Sequence, residues 1–301
     1  ISYDTETFCA VLVKHCLISP TGVKGAYGRG ALFEDIRRRF DTLVGGIAEP
    51  DGAEELMFPP ILPRSLLDEV AYMNSFPQLA GSVHSFFGNE AKARELSTRV
   101  NGGERWEDLL DITEVMLTPA ACYPVYPAFS GLLPTGGRLV TLLSWVYRHE
   151  PSDEPTRLQS FRVREFVRMG RPDDVVAWRD AWLQRGLELL GALGLPAQSD
   201  VAADPFFGRV GKMMAANQLD QRLKFEILVP VISQDKPTAL CSFNWHQEYF
   251  TSKFRIRNAD ESVAHTACLG FGLERVTLAL IKAHGFDPKT WPAHVKAQLW
   301  P

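Results

Sequence analysis

The sequence lacks long apolar runs, an excess of positive charge and a regular cysteine pattern. No stretch of eighteen apolar residues occurs in its 301 residues, so we predict no transmembrane helix and expect no membrane partner. The formal net charge of -4 provides no general attraction to nucleic acid. The tight basic triplet Arg37-Arg38-Arg39 is typical of a solvated helix face.

Signals for secretion and for disulfides are also missing. Charged residues interrupt the apolar stretch near the N-terminus, namely Asp4, Glu6, Lys14 and His15. We therefore see no secretory signal and expect a cytoplasmic protein. The five cysteines are odd in number and widely scattered, which argues against a disulfide framework. Their thiols are free for packing or for a metal.

A regular alternation of strands and helices is absent, as are internal repeats. Helices are predicted over residues 31–47, 174–193 and 273–284, strands over 139–148, 161–167, 225–232 and 239–244, and a proline-marked edge strand over 55–62. Hairpins separated by helices indicate an α+β fold with an antiparallel sheet, rather than a doubly wound parallel sheet. Residues 1–301 are predicted to form a single domain.

The hairpin made by strands 139–148 and 161–167 carries charged residues that suit a nucleotide. Arg148 and Glu150 alternate onto one face, where an arginine can clamp a phosphate and a carboxylate can accept from an amino group such as that of adenine. On the return strand, Glu165 shares its face with Val163 and Val167, where an unpaired charge is costly. Glu165 therefore needs a cation, and a structural salt bridge would satisfy it as well as a ligand site.

Two glycines precede an arginine at the start of the last predicted helix. Gly270 and Gly272 would let the backbone approach a ligand, and Arg275 could reach a terminal phosphate from the first helical turn. A tight connection into the helix explains the glycines equally well. Cys268, just before them, is by itself most simply a buried core thiol.

Three ordered segments resemble the catalytic core of class II aminoacyl-tRNA synthetases. Residues 31–62 resemble motif 1 of that family. Residues 145–168, with Tyr147-Arg-His-Glu150, resemble motif 2, and residues 268–283, with Gly270-Phe-Gly-Leu-Glu-Arg275, resemble motif 3. The resemblance implies an antiparallel sheet flanked by helices, and motif 1 implies a homodimer.

Within that superfamily the chain resembles the atypical, zinc-dependent seryl enzymes of methanogenic archaea. Phe161-Arg-Val-Arg-Glu-Phe166 is similar to the Phe-Arg-Val-His-Gln-Phe of ordinary seryl enzymes, and Cys122 stands where those enzymes have a substrate-binding Glu. The resemblance implies that Cys122, Glu165 and Cys268 bind one Zn²⁺ and leave the fourth tetrahedral position to the substrate amino group. The wide spacing of these three residues does not by itself indicate a zinc site, because the sequence has no local Cys-x-x-Cys pair.

The chain resembles most closely the bacterial amino acid:[carrier protein] ligases. Motif 1 begins near residue 31, so we expect no large N-terminal tRNA-binding domain of the kind that seryl enzymes carry. Residues 242–250 depart from the seryl pattern as these ligases do. The resemblance implies activation of glycine or alanine with ATP and transfer to the phosphopantetheine thiol of a carrier protein, without tRNA. A minimal seryl-type tRNA ligase and a non-catalytic paralogue are the alternatives.

The resemblance also assigns the ATP site residue by residue. Arg148 and Arg275 would be the catalytic residues, binding the α-phosphate and the γ-phosphate, and Glu150 would bind the adenine amino group. Further ATP contacts are expected from Arg157 and Leu158 of the motif 2 loop and from Ala239, Leu240, Cys241 and Ser242 beside the ribose. Mg²⁺ would accompany ATP. Its ligands are unassigned because Thr238 stands where seryl enzymes have a Glu.

Two residues besides the zinc ligands are expected at the amino acid site. Asp204 could meet the amino group, or it could simply form an Asp-Pro turn. Lys224 lies on a strand that carries Asp-Leu-Glu near the substrate in seryl enzymes, and it departs from that pattern, whereas Glu226 matches it. His246 and Glu248 are interpreted as residues of a sheet face rather than a metal pair, since the zinc set is complete without them.

Overall fold

The computed structural model describes residues 5–301, so Asp4 of the N-terminal stretch lies outside the described residues. The helices are α1 (Thr5–Lys14), α2 (Ala31–Ala48), α3 (Arg64–Glu69), α4 (Tyr72–Ser75), α5 (Glu90–Gly102), α6 (Val125–Ala128), α7 (Pro172–Ala192), α8 (Gly208–Asp220), α9 (Tyr249–Phe254), α10 (Leu273–His284) and α11 (Ala293–Leu299). The strands are β1 (Ile18–Pro20), β2 (Tyr27–Arg29), β3 (Glu54–Leu56), β4 (Ile61–Pro63), β5 (Ser82–Ser85), β6 (Asp111–Leu117), β7 (Gly131–Leu132), β8 (Arg138–Tyr147), β9 (Ser160–Gly170), β10 (Gln198–Val201), β11 (Lys224–Val229), β12 (Thr238–Gln247), β13 (Ile256–Arg257) and β14 (His265–Gly272). Over residues 5–301, none of the helices has the length and apolarity that a membrane span requires.

A seven-stranded sheet forms the centre of the fold, in the order β10-β11-β12-β14-β9-β8-β3. Every neighbouring pair in it is antiparallel except the last, in which the edge strand β3 runs parallel to β8. A separate three-stranded sheet has the order β4-β6-β5. The predicted α+β fold with an antiparallel sheet flanked by helices is confirmed.

Apolar side chains cover both faces of the central sheet. On one face, Trp182 of α7 stacks on Phe166 of β9 with ring centroids 5.2 Å apart. Gly186 lets α7 approach closely, because a Cβ there would lie 2.9 Å from Ile227 Cδ1. Val167, the next residue after Phe166, belongs to a second buried cluster on the other face. The side chains of β9 therefore alternate between two cores, as its sequence predicts.

The predicted continuous edge strand over 55–62 was wrong. The segment contains two short strands in different sheets, since β3 pairs with β8 and β4 pairs with β6. Pro59 and Pro60 lie between them and have no N–H to donate to a ladder, so the chain leaves the central sheet at this point. The predicted edge position holds for the β3 part.

The strand β14 was not predicted as a strand, yet it lies at the centre of the sheet between β12 and β9. Its residues from Thr266 to Phe271 are all buried, so the segment has no alternation of apolar and polar residues. A short apolar run of this kind does not distinguish a strand from a buried helix. Its strand character comes from the two partners that flank it.

A network of ion pairs joins α2, β9 and α10. Arg162 of β9 donates from Nε to Glu274 Oε1 at 2.8 Å and from Nη1 to Glu34 Oε2 at 2.7 Å. Glu274, in the first turn of α10, is fully buried. Arg37 of α2 is 6% exposed and pairs with Glu34, so the prediction of a solvated face was wrong for this member of the basic triplet.

Candidate active site

A cavity of about 440 Å³ lies over one face of the central sheet. This is the face on which the side chain of Val167 packs, opposite the face that α7 covers. Strand register sets its floor, because cross-strand partners place their side chains side by side. One row runs Glu165, Gly270, Ser242, Glu226, and the next runs Val167, Cys268, Asn244, Lys224. Gly270 keeps the first row open, since a Cβ at this position would lie 2.9 Å from Val163 Cγ1. Four strands thus supply a floor with polar side chains at fixed spacings.

Cys122, Glu165 and Cys268 meet at one end of this cavity. Their ligand atoms lie within 4.8 Å of one another, and all three residues are buried. Within the part of the chain that the structure describes, this is the one group of three Cys, His, Asp or Glu residues close enough to hold a metal ion. Cys122 comes from the loop after β6, Glu165 from β9 and Cys268 from β14, so only the folded chain assembles the set.

The chemistry of these donors fits a divalent metal. Burial raises the pKa of the Glu165 carboxyl. The hydrogen bond with Cys122, together with burial, raises the pKa of Cys268. The hydrogen bond from Cys268 lowers the pKa of Cys122, but burial and the Glu165 charge leave that pKa raised overall. Three groups that resist ionisation without a cation, two of them thiols, match the ligand set of a tetrahedral Zn²⁺ with an open fourth position.

A salt bridge, the alternative explanation for Glu165, is not present among the described residues. The arginines nearest to it in sequence point to the other face of β9, as the strand alternation requires. Arg162 pairs there with Glu34 and Glu274, and Arg164 pairs with Asp41 and Glu55. Glu165 instead hydrogen-bonds with the two thiols, and the charge of Arg148 acts on it without a salt bridge.

The sulfur of Cys268 has two further polar neighbours on β12. Asn244 Nδ2 donates to Cys268 Sγ at 3.5 Å, and His246 Nε2 lies 3.5 Å from the same sulfur. The other ring nitrogen of His246 lies 3.0 Å from Thr266 Oγ1. Burial lowers the pKa of His246 to about 4, so the ring is neutral at pH 7. The sequence interpretation placed His246 on a sheet face but missed this contact, which depends on how β12 pairs with β14.

Arg148 and Arg275 form the cationic part of the cavity. Arg275 donates from Nε to Thr156 O at 2.9 Å and from Nη1 to Ala239 O at 3.0 Å, and Arg148 donates from Nε to Pro119 O at 3.2 Å. Burial, and then repulsion from Arg148, lower the pKa of Arg275. Two arginines that line the same cavity suit a polyphosphate anion.

The structure brings most of the predicted ATP residues to the cavity, but not all of them. Ala239, Leu240, Cys241 and Ser242 line it together with both arginines. Glu150, Arg157 and Leu158, on the connection between β8 and β9, are not among its lining residues. Glu150 and Arg157 still act on the charge of Arg275, and Leu158 is buried. Their ATP roles stay predictions.

Asp204 and Lys224 meet in the cavity, so Asp204 is more than a turn former. Lys224 Nζ donates to Asp204 Oδ1 at 2.7 Å and lies 3.0 Å from Glu226 Oε1. Gln218 of α8, which sequence reasoning missed, donates to Asp204 Oδ2 at 2.9 Å. Burial alone would raise the pKa of Asp204, but Lys224 and Gln218 leave that pKa lowered. Thr238 does not line the cavity, so the Mg²⁺ ligands remain unassigned.

Comparison with known proteins identifies the family. Two relatives from Bradyrhizobium diazoefficiens are named amino acid–[acyl-carrier-protein] ligase 1 and 2. The first is 43% identical over 282 residues, which is 93% of this chain and 86% of the relative, and the second is 41% identical over 285 residues, which is 94% and 85%. The chain belongs to the amino acid–[acyl-carrier-protein] ligases. It is therefore a ligase, and the predicted family is confirmed, although no protein-family model matches the chain.

This ligase family shares its fold with the synthetases. The type-2 serine–tRNA ligase of Methanococcus aeolicus is 27% identical over 267 residues, which is 82% of this chain but 50% of that enzyme. The structure of M. kandleri SerRS in complex with A. aeolicus tRNASec is similar to this chain, with a TM-score of 0.83 and 20% sequence identity. The similar region covers 99% of this chain and 61% of the M. kandleri chain. The predicted class II synthetase fold is confirmed, and the chain spans half to two thirds of these larger proteins.

Proposed function

We propose that this ligase activates a small amino acid, glycine or alanine, with ATP and transfers it to the phosphopantetheine thiol of a carrier protein in the cytoplasm. One observation carries the proposal: the Cys122, Glu165 and Cys268 set and the Arg148 and Arg275 pair line the same cavity. An amino acid bound at the cysteine and glutamate residues would therefore lie next to a triphosphate bound at the two arginines. The names of the relatives from Bradyrhizobium diazoefficiens support the same reaction.

In the first step, an aminoacyl-adenylate and pyrophosphate form from the amino acid and ATP. Cys122, Glu165 and Cys268 would hold Zn²⁺, whose open position would take the neutral α-amino nitrogen and so orient the substrate. Arg148 would bind the α-phosphate, and the substrate carboxylate would attack its phosphorus as the bond to pyrophosphate breaks. Arg275 would bind the γ-phosphate and, with the Mg²⁺ that accompanies ATP, neutralise the leaving group. Positioning and charge neutralisation carry this step, so no side chain acts as a nucleophile.

In the second step, the aminoacyl group moves to the carrier. The pantetheine sulfur would attack the carbonyl carbon of the adenylate, and AMP would leave as the thioester forms. Lys224, held by Asp204 and Glu226 at the cavity, would contact the substrate carboxylate or the phosphate of the adenylate. Its pairing with two carboxylates keeps it charged despite burial.

A small substrate side chain is supported by the aromatic rings behind the thiols. Tyr126 stacks on Phe250 with ring centroids 4.1 Å apart, and His246 meets Phe250 edge-on at 4.9 Å. Tyr126 and Phe250 belong to the same buried cluster as Cys122 and Cys268, and His246 lies beside the Cys268 sulfur. Zinc ligation itself selects for a free amino group and not for a side chain, so these rings would supply the size limit.

The carrier would dock on α8. This helix buries only Gly211 of its thirteen residues, and its inner side reaches the cavity through Met214, Asn217 and Gln218. Its outer surface exposes Val210 and Met213, which are 69% and 68% exposed, beside the exposed Arg209 and Lys212. Carrier proteins are usually acidic, so an apolar patch with basic neighbours at the edge of the cavity suits one.

A homodimer through the segment that resembles motif 1 completes the proposal. Met57, which follows β3, is 88% exposed, and Ile61, the first residue of β4, is 39% exposed. Such apolar side chains at a sheet edge are suited to burial against a second copy of the chain.

The decisive experiment is amino-acid-dependent exchange between ATP and pyrophosphate across the twenty amino acids, with and without a chelator. We expect glycine or alanine to stimulate exchange and the chelator to abolish it. If no amino acid stimulates exchange, the enzymatic proposal fails. Loading of labelled amino acid onto tRNA instead of a phosphopantetheinylated carrier would favour the tRNA ligase, and exchange that survives full zinc removal would exclude the metal role.

A further inference from the structure

The two thiols of the proposed zinc site have different surroundings. Cys268 Sγ lies 3.5 Å from Asn244 Nδ2 and 3.5 Å from His246 Nε2, both on β12. We propose that Asn244 and His246 are positioning residues that donate two hydrogen bonds to the Cys268 thiolate and so set how tightly the site binds Zn²⁺. The inference rests on the proposed zinc role of Cys122, Glu165 and Cys268.

Sheet register holds Asn244 in place, whereas His246 lies at an irregularity of β12 between Trp245 and Gln247 and is positioned by its side-chain contacts. Asn244 is the cross-strand partner of Cys268, so the register of β12 and β14 keeps its amide beside the sulfur. His246 follows two residues later on the same strand, and Phe250 meets its ring edge-on. Neither donor depends on a loop for its position.

Thr266 supplies a hydrogen-bond partner for the ring nitrogen of His246 that does not face Cys268. Its hydroxyl, which is fully buried, lies 3.0 Å from Nδ1. A neutral imidazole has one N–H, and when the hydroxyl donates to Nδ1 that N–H is at Nε2, facing Cys268. Thr266 lies two residues before Cys268 on β14, so the same strand carries the sulfur and the group that orients its donor.

The proposed zinc site would carry excess negative charge, which hydrogen-bond donors can offset. Two thiolates and one carboxylate carry three negative charges against the two positive charges of Zn²⁺, and the whole set is buried. An uncompensated buried charge is costly, and two hydrogen-bond donors aimed at one sulfur spread part of that charge onto the protein.

The test compares Zn²⁺ affinity and the Co²⁺ spectrum of matched variants. His246→Leu and Asn244→Leu each remove one donor, whereas His246→Gln places an amide N–H near the position of Nε2. We expect the two leucine variants to lose about 10-fold in Zn²⁺ affinity, measured by competition with a chromophoric chelator. The thiolate-to-Co²⁺ charge-transfer band should move to longer wavelength, because the sulfur lone pairs rise in energy without a donor. His246→Gln should retain most of the affinity and the band of the parent protein.

His265→Leu is the control, because this histidine lies on β14 but accepts from Trp245 Nε1 rather than contacting the sulfur. It should leave both readouts unchanged. Unchanged affinity and spectrum in both leucine variants would overturn the inference, as would a loss in His246→Gln equal to that in His246→Leu, which would show that ring packing matters and not the donor. If His246→Leu does not fold, Asn244→Leu decides. Cys268→Ser tests the proposed zinc site by itself. Loss of zinc binding in this variant would support the site, whereas unchanged zinc binding would exclude it, whatever the leucine variants show.

Discussion

Glu274 accepts two hydrogen bonds from Arg162, one from its main-chain N–H at 2.7 Å and one from its guanidinium at 2.8 Å. The same arginine reaches Glu34 of α2, so one side chain holds the three segments that resemble the synthetase motifs. The helix that carries Arg275 begins at this network. The stability of the fold and the position of the proposed phosphate site therefore depend on the same buried pair.

Replacing Glu274 by alanine should destabilise the protein strongly. Arg162 would keep a buried charge with one partner lost, and breaking a buried pair from one side costs about 3–5 kcal/mol. Urea unfolding measures the loss. Glu95→Ala is the matched control, because its pair with Arg99 lies at the surface, where water screens a salt bridge and its loss should change stability little. Equal losses in the two variants would show that burial of the pair is unimportant.

Replacing Gly270 by alanine should slow amino-acid-dependent exchange. The new Cβ would lie 2.9 Å from Val163 Cγ1 and would crowd the cavity floor beside Glu165. A displacement of the substrates by about 1 Å can cost roughly 10- to 100-fold in rate. Gly191→Ala is the control, because a Cβ in α7 meets nothing within 4 Å there. It should leave exchange unchanged and stabilise the helix by about 0.5 kcal/mol or more.

Replacing Asp204 by asparagine should produce a stability deficit that depends on pH. The folded pKa of Asp204 is lowered from its ordinary value of 3.8, so its contribution is complete above that value and is lost as the pH falls through the folded pKa. Urea unfolding should give a constant deficit at neutral pH and down to roughly pH 5, which then shrinks below pH 4. The exposed Asp68→Asn should show no such deficit. A deficit in Asp204→Asn that persists unchanged at the lowest pH would mean that its charge is not the cause.

Replacing Val210 or Met213 by aspartate should separate the two proposed half-reactions. Both side chains are exposed on α8 and lie outside the cavity lining. Exchange should continue at the parent rate, whereas loading of the carrier should fall by about 10-fold or more, since an interface loses affinity when a charge enters its apolar centre. Val23→Asp introduces the same charge at an exposed apolar position elsewhere and should affect neither step. Normal loading in both α8 variants would place the docking surface elsewhere.

Sequence reasoning found the elements whose patterns are local. The amphipathic helices α2 and α7 and the hairpin of β8 and β9 agree with prediction to within a few residues. Two predictions depended on tertiary partners and were missed: β14, whose residues are buried on both faces, and the break at Pro59 and Pro60. In each case the strand assignment is decided by which neighbours are available, and periodicity does not encode that.

Some residues of the candidate site could be predicted from the sequence, and others could be found only from the structure. Cys122, Glu165 and Cys268 could be assembled from a resemblance, because each occupies a recognisable place in a motif, and the structure brings all three together. Asn244, His246 and Gln218 belong to no motif, and their importance depends on cross-strand register and on one helix contacting Asp204. Contacts of this kind follow from the fold alone, so sequence reasoning reaches the residues that touch the ligand before it reaches those that hold them.

Between Cys268 and Arg275 the chain passes directly from β14 into α10, without a loop. Main-chain hydrogen bonds to β12 and β9 hold this segment on both sides. The separation between the proposed metal ligand Cys268 and the start of the helix that carries Arg275 is therefore set by the sheet. In the proposed reaction, the distance between the attacking carboxylate and the α-phosphorus would in turn be set by the sheet.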